Sequence, residues 1–307
     1  MPTQATPLIP HRPLGRSGHQ VSILGLGGFH LAAAGQKEAM RLVREAIDRG
    51  ITFLDNAWEY GDGRCERWMG LALKESGARD RVTLMTKCCA HQRDYKTAMQ
   101  QLDESLTRLR TDRIDLWQFH EIIYDNDIEW LYEHGGLDAA LEARDQGKIR
   151  WIGFTGHKAP HIHLKLLQRD FPWDAVQIPL NPMDATDRSL ERQVLPELVR
   201  RGIGVIGMKS MGGGAITRVR TLKPDEALRY SFSLPVATVV SGMESVTLLR
   251  KNARLAANFK PFHPGEMDAL RQRVRLIAGD GRVERYKTTQ DFDGKLGRIA
   301  HGFDAAD

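Results

Sequence analysis

Four ionisable side chains follow three consecutive apolar segments of the sequence. Asp55 ends ITFLD, Tyr60 lies five residues further on, Lys87 ends VTLMTK and His120 ends IDLWQFH. Each has a structural interpretation of its own: a helix cap, a packed ring, an ammonium reaching solvent, or a hydrogen-bonded imidazole. Because all four follow neighbouring predicted strands, a common site is favoured over four unrelated roles.

The four residue types together can deliver a proton. A tyrosine phenol has a reference pKa near ~10, and a neighbouring ammonium such as that of Lys87 lowers this pKa. Asp55 can hold Lys87 in place, which would make Tyr60 a general acid or base. His120 can donate a hydrogen bond to a carbonyl oxygen and orient it. Such a site protonates a developing alkoxide and requires a hydride source, which implies a nicotinamide cofactor.

The segments that must position these residues alternate regularly. Eight short apolar or β-branched runs begin near residues 21, 51, 82, 114, 150, 174, 203 and 237, each followed by a stretch with helical spacing. Glycines at 50, 77, 147 and 202 stand where these helices should end. The repeats predict an α/β fold, a (β/α)8 TIM barrel, and favour it over an open doubly wound sheet. In such a barrel the four side chains would meet at the carboxyl-terminal rim.

Two parts of the chain depart from this repeat. Residues 1–11 are polar and contain proline, which predicts a flexible N-terminal tail and not a signal peptide. From about residue 258 a basic helix over Glu266–Ile277 is followed by a tail containing Gly, Asp and Thr. We expect one domain over residues 12–307, a barrel with an appended C-terminal helix and loop.

Composition argues against several classes of protein. The 307 residues are 41% hydrophobic and 27% charged, as in globular proteins. The net charge of +5 is spread along the chain, so a nucleic-acid partner is not expected. No apolar run approaches the ~20 residues that span a bilayer, so no membrane partner is expected. Three cysteines, two of them adjacent, argue against a disulfide framework and predict a cytoplasmic location.

No metal site is predicted from the spacing of potential ligands. His161 and His163 lie two residues apart in a predicted helix and therefore face different sides. The adjacent thiols of Cys88 and Cys89 are interpreted as packed side chains.

In order along the chain, the sequence contains LGRSGHQVSILGLGG, FLDNAWEYGDG, VTLMTK, RIDLWQFH, GKIRWIGFTG, VQIPLN, GVIGMKSMGGG and VVSGMESVTLLRKN. These segments, which span roughly residues 13–257, resemble the aldo-keto reductase family, with the chain as a divergent bacterial-type member. The resemblance implies NAD(P)H-dependent, reversible reduction of an aldehyde or ketone to an alcohol. It makes Asp55, Tyr60, Lys87 and His120 the catalytic residues, and implies an extended cofactor held without a separate nucleotide-binding domain.

The resemblance also assigns residues to the cofactor. The loop after the first strand lies near the nicotinamide, Gln177 contacts its carboxamide, and the loop from Lys209 follows the pyrophosphate. The segment from Gly242 matches the adenine end. The full implied set is Gly27, Gly28, Thr155, Gly156, His157, Gln177, Asn181, Met208, Lys209, Ser210, Met211, Gly212, Gly214, Gly242, Glu244, Leu248 and Asn252.

Three departures from the family pattern affect this set. Thr155-Gly156-His157 stands where many members have Ser-Asn, so that one carboxamide contact is lost or supplied by His157. Met208 replaces an aromatic residue that stacks on the nicotinamide; its thioether can pack on a ring but cannot stack. Glu244 replaces a small hydroxyl residue that often contacts the 2′-phosphate.

These departures bear on the choice of nucleotide. A carboxylate at Glu244 suits a ribose 2′-hydroxyl and indicates NAD(H). Arg250, Lys251 and Arg254 are close in sequence and could neutralise a 2′-phosphate, as the family's preference for NADP(H) requires. NADP(H) is therefore expected, and NAD(H) stays open.

The expected partner is a small-molecule carbonyl compound or alcohol whose identity the sequence does not specify. Phe29 and Trp58 flank the predicted site and could line an apolar pocket, with core packing as the other interpretation. The oligomeric state is left open. Two other functions are considered: a nucleotide-binding sensor barrel with little turnover, and a Schiff-base aldolase with Lys87 as nucleophile.

Overall fold

The computed structural model describes residues 8–304, and its chain enters the fold through a β-hairpin of β1 (His11–Pro13) and β2 (Gln20–Ser22). Leu14 and Val21 of this hairpin are fully buried against the lower layer of barrel side chains. The hairpin therefore closes the amino-terminal end of the barrel, as an apolar plug. Most of the predicted tail lies outside the described residues, but Ile9 is buried and His11 belongs to β1, so the tail does not extend to residue 11.

Eight parallel strands form a closed barrel, which confirms the predicted (β/α)8 fold. Each strand pairs with the next along the chain, and the last closes against the first with Gly242 beside Gly27. The barrel strands are β3 (Leu24–Gly27), β4 (Phe53–Asp55), β5 (Thr83–Cys88), β6 (Ile114–Phe119), β7 (Ile149–Thr155), β8 (Ala175–Pro179), β9 (Gly204–Met208) and β10 (Thr238–Gly242).

Amphipathic helices surround the barrel and bury their apolar faces against it. The helix that follows β5 is capped by Asp94, which accepts a hydrogen bond from the Thr97 N–H at 2.8 Å. The helix that follows β4 ends at Gly77, whose φ of +59° favours glycine. The helices up to residue 257 are α1 (Leu31–Ala34), α2 (Gln36–Asp48), α3 (Arg64–Ser76), α4 (Tyr95–Leu109), α5 (Asn126–Glu133), α6 (Gly136–Asp145), α7 (Pro160–Gln168), α8 (Leu190–Gln193), α9 (Leu195–Arg200), α10 (Ala215–Val219), α11 (Pro224–Ser233) and α12 (Val246–Ala257).

The C-terminal segment consists of α13 (Pro264–Ala278), α14 (Arg285–Thr288) and α15 (Lys295–Ala300). α13 coincides with the predicted basic helix, whereas the two short helices lie where a loop was expected. The hydroxyl of Tyr286 accepts a hydrogen bond from Asn181 at 3.1 Å, and Asp293 accepts one from Tyr124 at 2.7 Å. The segment therefore lies over the carboxyl-terminal end of the barrel. Among residues 8–304, none of the helices combines the length and apolar character that crossing a membrane requires.

Candidate active site

The carboxyl ends of β4, β5 and β6 bring the four predicted catalytic side chains together. The ammonium of Lys87 forms an ion pair with Asp55 and donates to the Asn56 carbonyl at 2.8 Å. Its Nζ also lies 3.4 Å from the Tyr60 hydroxyl. The Tyr60 ring meets the His120 ring edge to face, with centroids 5.7 Å apart. These contacts place a phenol, an ammonium, a carboxylate and an imidazole in one cluster.

Burial determines the charge state of Tyr60. It raises the pKa of this phenol well above its ordinary value, and the carboxylates of Asp55 and Glu59 raise it further. The shift is therefore opposite to the lowering expected from Lys87. Because Lys87 is already paired with Asp55, its charge offsets only part of the cost of burying a phenolate. Tyr60 is a neutral phenol here, which is the form that donates a proton.

His120 is paired with a carboxylate that the sequence analysis did not identify. Its Nδ1 lies 2.8 Å from Glu59 Oε1. Burial lowers the pKa of His120 to about 4, although Glu59 acts in the opposite direction. Burial also favours a high pKa at Glu59, but the hydrogen bond with His120 and the interaction with His91, 3.8 Å away, outweigh it and hold that pKa below its usual range. We conclude that a neutral imidazole donates its Nδ1–H to an ionised carboxylate.

Two further ionisable residues lie near this pair: Glu121, which the sequence analysis missed, and Lys209, which it assigned only to the cofactor. Burial, followed by the charge of Glu59, raises the pKa of Glu121 to about 8. Burial lowers the pKa of Lys209 to about 8, and its Nζ lies 5.5 Å from the ring centroid of Tyr286. The sequence positions of Glu59 and Glu121 carried a usable signal, since these residues directly adjoin Tyr60 and His120.

The predicted nicotinamide residues lie side by side on three neighbouring strands. Thr155 is in register with Gln177, and the Thr155 hydroxyl lies 3.9 Å from the Met208 sulfur. Gln177 donates through Nε2 to Asp55 at 3.4 Å. Its Oε1 is buried and has no hydrogen-bond partner among residues 8–304. A buried acceptor without a donor is unfavourable, so this oxygen suits the amide group of a ligand.

Glycines bring neighbouring backbone segments close together around this end of the site. A Cβ on Gly28 would lie 2.4 Å from the Asp55 carbonyl, and one on Gly27 would lie 3.1 Å from the Ser241 carbonyl. A Cβ on Gly156 would lie 2.3 Å from the Ile122 carbonyl. The departure from the family pattern at Gly156 therefore has a packing reason.

Two of the predicted cofactor residues are engaged by the C-terminal segment. His157 Nε2 lies 3.2 Å from Asp293 Oδ1, so this nitrogen is already paired and the expected carboxamide contact is not prepared. Asn181 donates to the Lys209 carbonyl at 3.2 Å and to Tyr286, and thereby holds the loop after β9 against the C-terminal segment.

The loop after β9 has an unusual backbone. Lys209 has a φ of +51°, and the glycines at 212, 213 and 214 have φ values of +59°, +61° and +85°. Ser210 is buried and Met211 is half-buried. A Cβ on Gly213 would lie 3.0 Å from the Phe292 ring, so one side of this loop is covered by the C-terminal segment.

At the predicted adenine end, Glu244 is exposed and lies 2.9 Å from His30 Nδ1, whose ring covers Gly242. Asn252 donates to the Ser241 hydroxyl at 3.3 Å, and Leu248 is exposed. The nearby basic residues are less available to bind a 2′-phosphate than expected.

Two of those cations already have partners on the surface. Arg250 pairs with Glu45 at 2.8 Å and Lys251 with Asp225 at 2.7 Å. A 2′-phosphate would have to compete with both carboxylates.

The two predicted substrate residues have different environments. Phe29 is 62% exposed and its ring meets the Tyr60 ring edge to face at 5.2 Å, as expected for a wall at the mouth of the site. The Trp58 indole instead donates to Glu104 at 2.9 Å. The guanidinium carbon of Arg108 lies over this indole, 4.9 Å from the ring centroid. Trp58 therefore packs on α4, which favours the packing interpretation over a place in the substrate pocket.

Comparisons with known proteins identify the family of this chain. The family model described as "Aldo/keto reductase family" matches residues 23–227. Aldo-keto reductase YhdN from Bacillus subtilis (strain 168) is 29% identical over 66% of this chain, and L-galactose dehydrogenase from Arabidopsis thaliana is 29% identical over 67%. These matches span 62% and 66% of the two relatives' own lengths.

A solved structure has the same fold. The holo form of aldo-keto reductase AKR11C1 from Bacillus halodurans superposes with a TM-score of 0.75 and 23% identity, covering 90% of this chain and 99% of that one. The family match extends from the first barrel strand into α11 and contains the four predicted catalytic residues, Asp55, Tyr60, Lys87 and His120. The chain therefore belongs to the aldo/keto reductase family, a family of oxidoreductases that use NADP(H) or NAD(H).

Proposed function

We propose that this protein reversibly reduces an aldehyde or ketone to an alcohol with NAD(P)H, and that Tyr60 donates the proton. The observation that carries the proposal is the buried arrangement in which Lys87, paired with Asp55, lies 3.4 Å from the Tyr60 hydroxyl. A buried ammonium beside a phenol stabilises the phenolate that remains once the proton has left.

The residues present fit a nicotinamide nucleotide. The unpartnered Gln177 Oε1 can accept from a carboxamide, and Thr155 and Met208 lie beside it. The bound cofactor would supply a hydride to the carbonyl carbon. Side chains of the protein would supply the proton and orient the carbonyl group.

Those side chains have distinct roles. The neutral phenol of Tyr60 transfers its proton to the alkoxide oxygen as negative charge develops there. Lys87 then faces the Tyr60 phenolate, and Asp55 fixes the position of Lys87. His120 orients the carbonyl oxygen, which requires that its ring carry an N–H on Nε2 in place of the Nδ1–H that it donates to Glu59 here. Phe29 shields the mouth of the site with an apolar ring.

The same contacts weigh against the aldolase alternative. A Schiff-base lysine must present a free amine to the substrate. The Lys87 Nζ instead pairs with a buried carboxylate and donates to the Asn56 carbonyl. Borohydride trapping would test this point, and we expect no adduct on Lys87.

For the nucleotide, the family's preference supports NADP(H). The exposed carboxylate of Glu244 and the ion pairs of Arg250 and Lys251 support NAD(H). We therefore propose that the site accepts both forms and that Glu244 limits the use of NADP(H).

The experiment is an assay with NADPH and NADH over aldehydes, ketones and sugars in both directions. The panel includes L-galactose, because one relative is named for its dehydrogenation. Turnover that Tyr60→Phe abolishes would support the proposal. Tight nucleotide binding without turnover on the whole panel would favour a sensor.

A further inference from the structure

Four potential metal ligands converge at the edge of the proposed catalytic site, and one of them is His120 itself. Glu59 lies in the loop after β4, Cys89 and His91 follow β5, and His120 follows β6. Each offers one ligand atom, and these four atoms all lie within 4.8 Å of one another. We propose that they form a binding site for a divalent transition-metal ion of the Zn²⁺ type.

The distances between the ligand atoms are close to those found in a tetrahedral metal site. His120 Nδ1 lies 2.8 Å from Glu59 Oε1 and 3.4 Å from the sulfur of Cys89. His91 Nε2 lies 3.8 Å from Glu59 Oε2. Ligand bonds of ~2.0–2.3 Å at tetrahedral angles place ligand atoms roughly 3.4 Å apart. Small side-chain rotations would thus bring all four atoms to one centre.

One of the ligands has an unsatisfied nitrogen. His91 is 4% exposed, and its Nε2 has no hydrogen-bond partner among residues 8–304. Leaving a buried polar nitrogen without a partner is unfavourable. This nitrogen is one of the four potential ligand atoms, and the Cys89 sulfur is another. A metal ion bound between them would therefore give the nitrogen the partner that it lacks.

The ligand types match the charge of the ion. One carboxylate and one thiolate with two neutral imidazoles carry two negative charges, which a divalent cation balances within a buried site. A mixed set of nitrogen, sulfur and oxygen is typical of Zn²⁺ and Co²⁺ and unlike the all-oxygen sets of Mg²⁺ and Ca²⁺.

The C-terminal segment covers this cluster at two glycines. A Cβ on Gly294 would lie 2.7 Å from Glu59 Oε1, and one on Gly297 would lie 3.1 Å from His91 Nδ1. The absence of side chains at these positions allows α15 to approach the ligands closely. The ion would therefore be shielded from water and from exchange.

Such an ion would also set the hydrogen-bonding form of His120, a consequence that rests on the proposed carbonyl reduction. While Glu59 accepts the Nδ1–H, the neutral ring has only a lone pair on Nε2. A metal on Nδ1 instead leaves the ring proton on Nε2, the form that can donate to a carbonyl oxygen. The metal would thus prepare His120 for the role that carbonyl reduction assigns to it.

The test measures binding directly on the untagged full-length protein after treatment with EDTA. We expect Zn²⁺ titration by calorimetry and elemental analysis to give one equivalent per chain. We expect Co²⁺ to produce a thiolate-to-metal charge-transfer band. Cys89→Ser should abolish that band, and His91→Gln should weaken Zn²⁺ binding by at least about 100-fold, because even outer partners of metal ligands contribute ~10–100-fold.

Cys65→Ser is the matched control, since Cys65 is also a buried free cysteine but lies outside the cluster. It should retain both the band and the affinity. Thermal unfolding in EDTA checks that the variants fold, and added Zn²⁺ should raise the melting temperature of wild type and Cys65→Ser more than that of Cys89→Ser or His91→Gln. No stoichiometric binding, or binding that Cys89→Ser and His91→Gln leave unchanged, would overturn the site. Metal binding in a protein that reduces no carbonyl would refute the proposed function and leave the site standing.

Discussion

The Nδ1 nitrogen of His120 and a carboxylate oxygen of Glu59 lie 2.8 Å apart at the rim of the barrel. The contact joins the loop after β4 to the end of β6, so the residue next to Tyr60 in the chain also fixes the imidazole. The positions of the proton donor and of the group that orients the carbonyl are therefore coupled through one short segment of backbone.

We predict that Glu59→Leu lowers kcat/KM by about 10–100-fold, the cost typical of removing a partner that orients a functional histidine. Glu59→Gln should recover part of this loss, because its amide can still contact Nδ1 and hold the ring in position. Steady-state kinetics and nucleotide titration measure the effect. Nucleotide affinity should stay unchanged, since Glu59 lies outside the predicted cofactor residues. Equal losses in both variants would show that the carboxylate does not act by accepting this hydrogen bond.

Glu244→Ser should increase the ratio of kcat/KM for NADPH to that for NADH by about tenfold or more, because a carboxylate beside the 2′ position suits a hydroxyl and repels a phosphate. The comparison requires both nucleotides at one saturating carbonyl concentration. Glu133→Ser, which removes an exposed carboxylate on α5, should leave the ratio unchanged. A ratio that does not move in Glu244→Ser would place the 2′ group elsewhere.

Acid should destabilise the fold in part through His163. Burial lowers the pKa of this histidine from 6.5 to about 4. The unfolded chain therefore binds a proton below pH 6.5 that the native protein takes up only near pH 4, and stability falls across this window as the pH is lowered. Urea unfolding of His163→Gln should show about 2 kcal/mol less change in unfolding free energy between pH 7.5 and pH 4.5.

His157 will retain some acid dependence in that variant, because burial lowers its pKa to about 3. His161→Gln is the control, since this side chain is exposed. An unchanged pH profile in His163→Gln would mean that His163 is protonated in the native protein.

Gly156→Ala should destabilise the protein by about 2 kcal/mol, because the added methyl group would overlap the Ile122 carbonyl. Gly265→Ala in α13 is the matched control, with nothing within 4 Å of its added Cβ. Chemical denaturation measures both. If the two variants are equally stable, the backbone at residue 156 moves easily and the packing reason for this glycine is wrong.

The barrel could be predicted because its signal is local. Each βα unit carries its own apolar run, and glycines at 50, 77, 147 and 202 follow four of the helical stretches. Where structure depends on distant packing, prediction was less accurate. The run beginning at Val21 was taken as one strand, but Ser22 ends the hairpin and Leu24 begins the barrel. The helical stretch expected between the runs at 174 and 203 consists of two helices, α8 and α9, separated at Val194.

The site was predictable as far as its residues fall at strand ends. Asp55, Lys87 and His120 were found by that rule. The two interpretations of Trp58 could not be separated, because a loop position does not show which way a side chain points. The contacts of Asp293 and Tyr286 join residues more than 100 positions apart and leave no local pattern.

The role of Tyr60 tests the central claim most directly. Single-turnover hydride transfer, followed by loss of NAD(P)H absorbance with a good carbonyl substrate, separates chemistry from product release. Tyr60→Phe removes only the hydroxyl and keeps the ring that packs against Phe29 and His120. We predict that the rate falls at least about 100-fold while nucleotide affinity is retained. Reduction at the wild-type rate would contradict the assignment of Tyr60 as the proton donor.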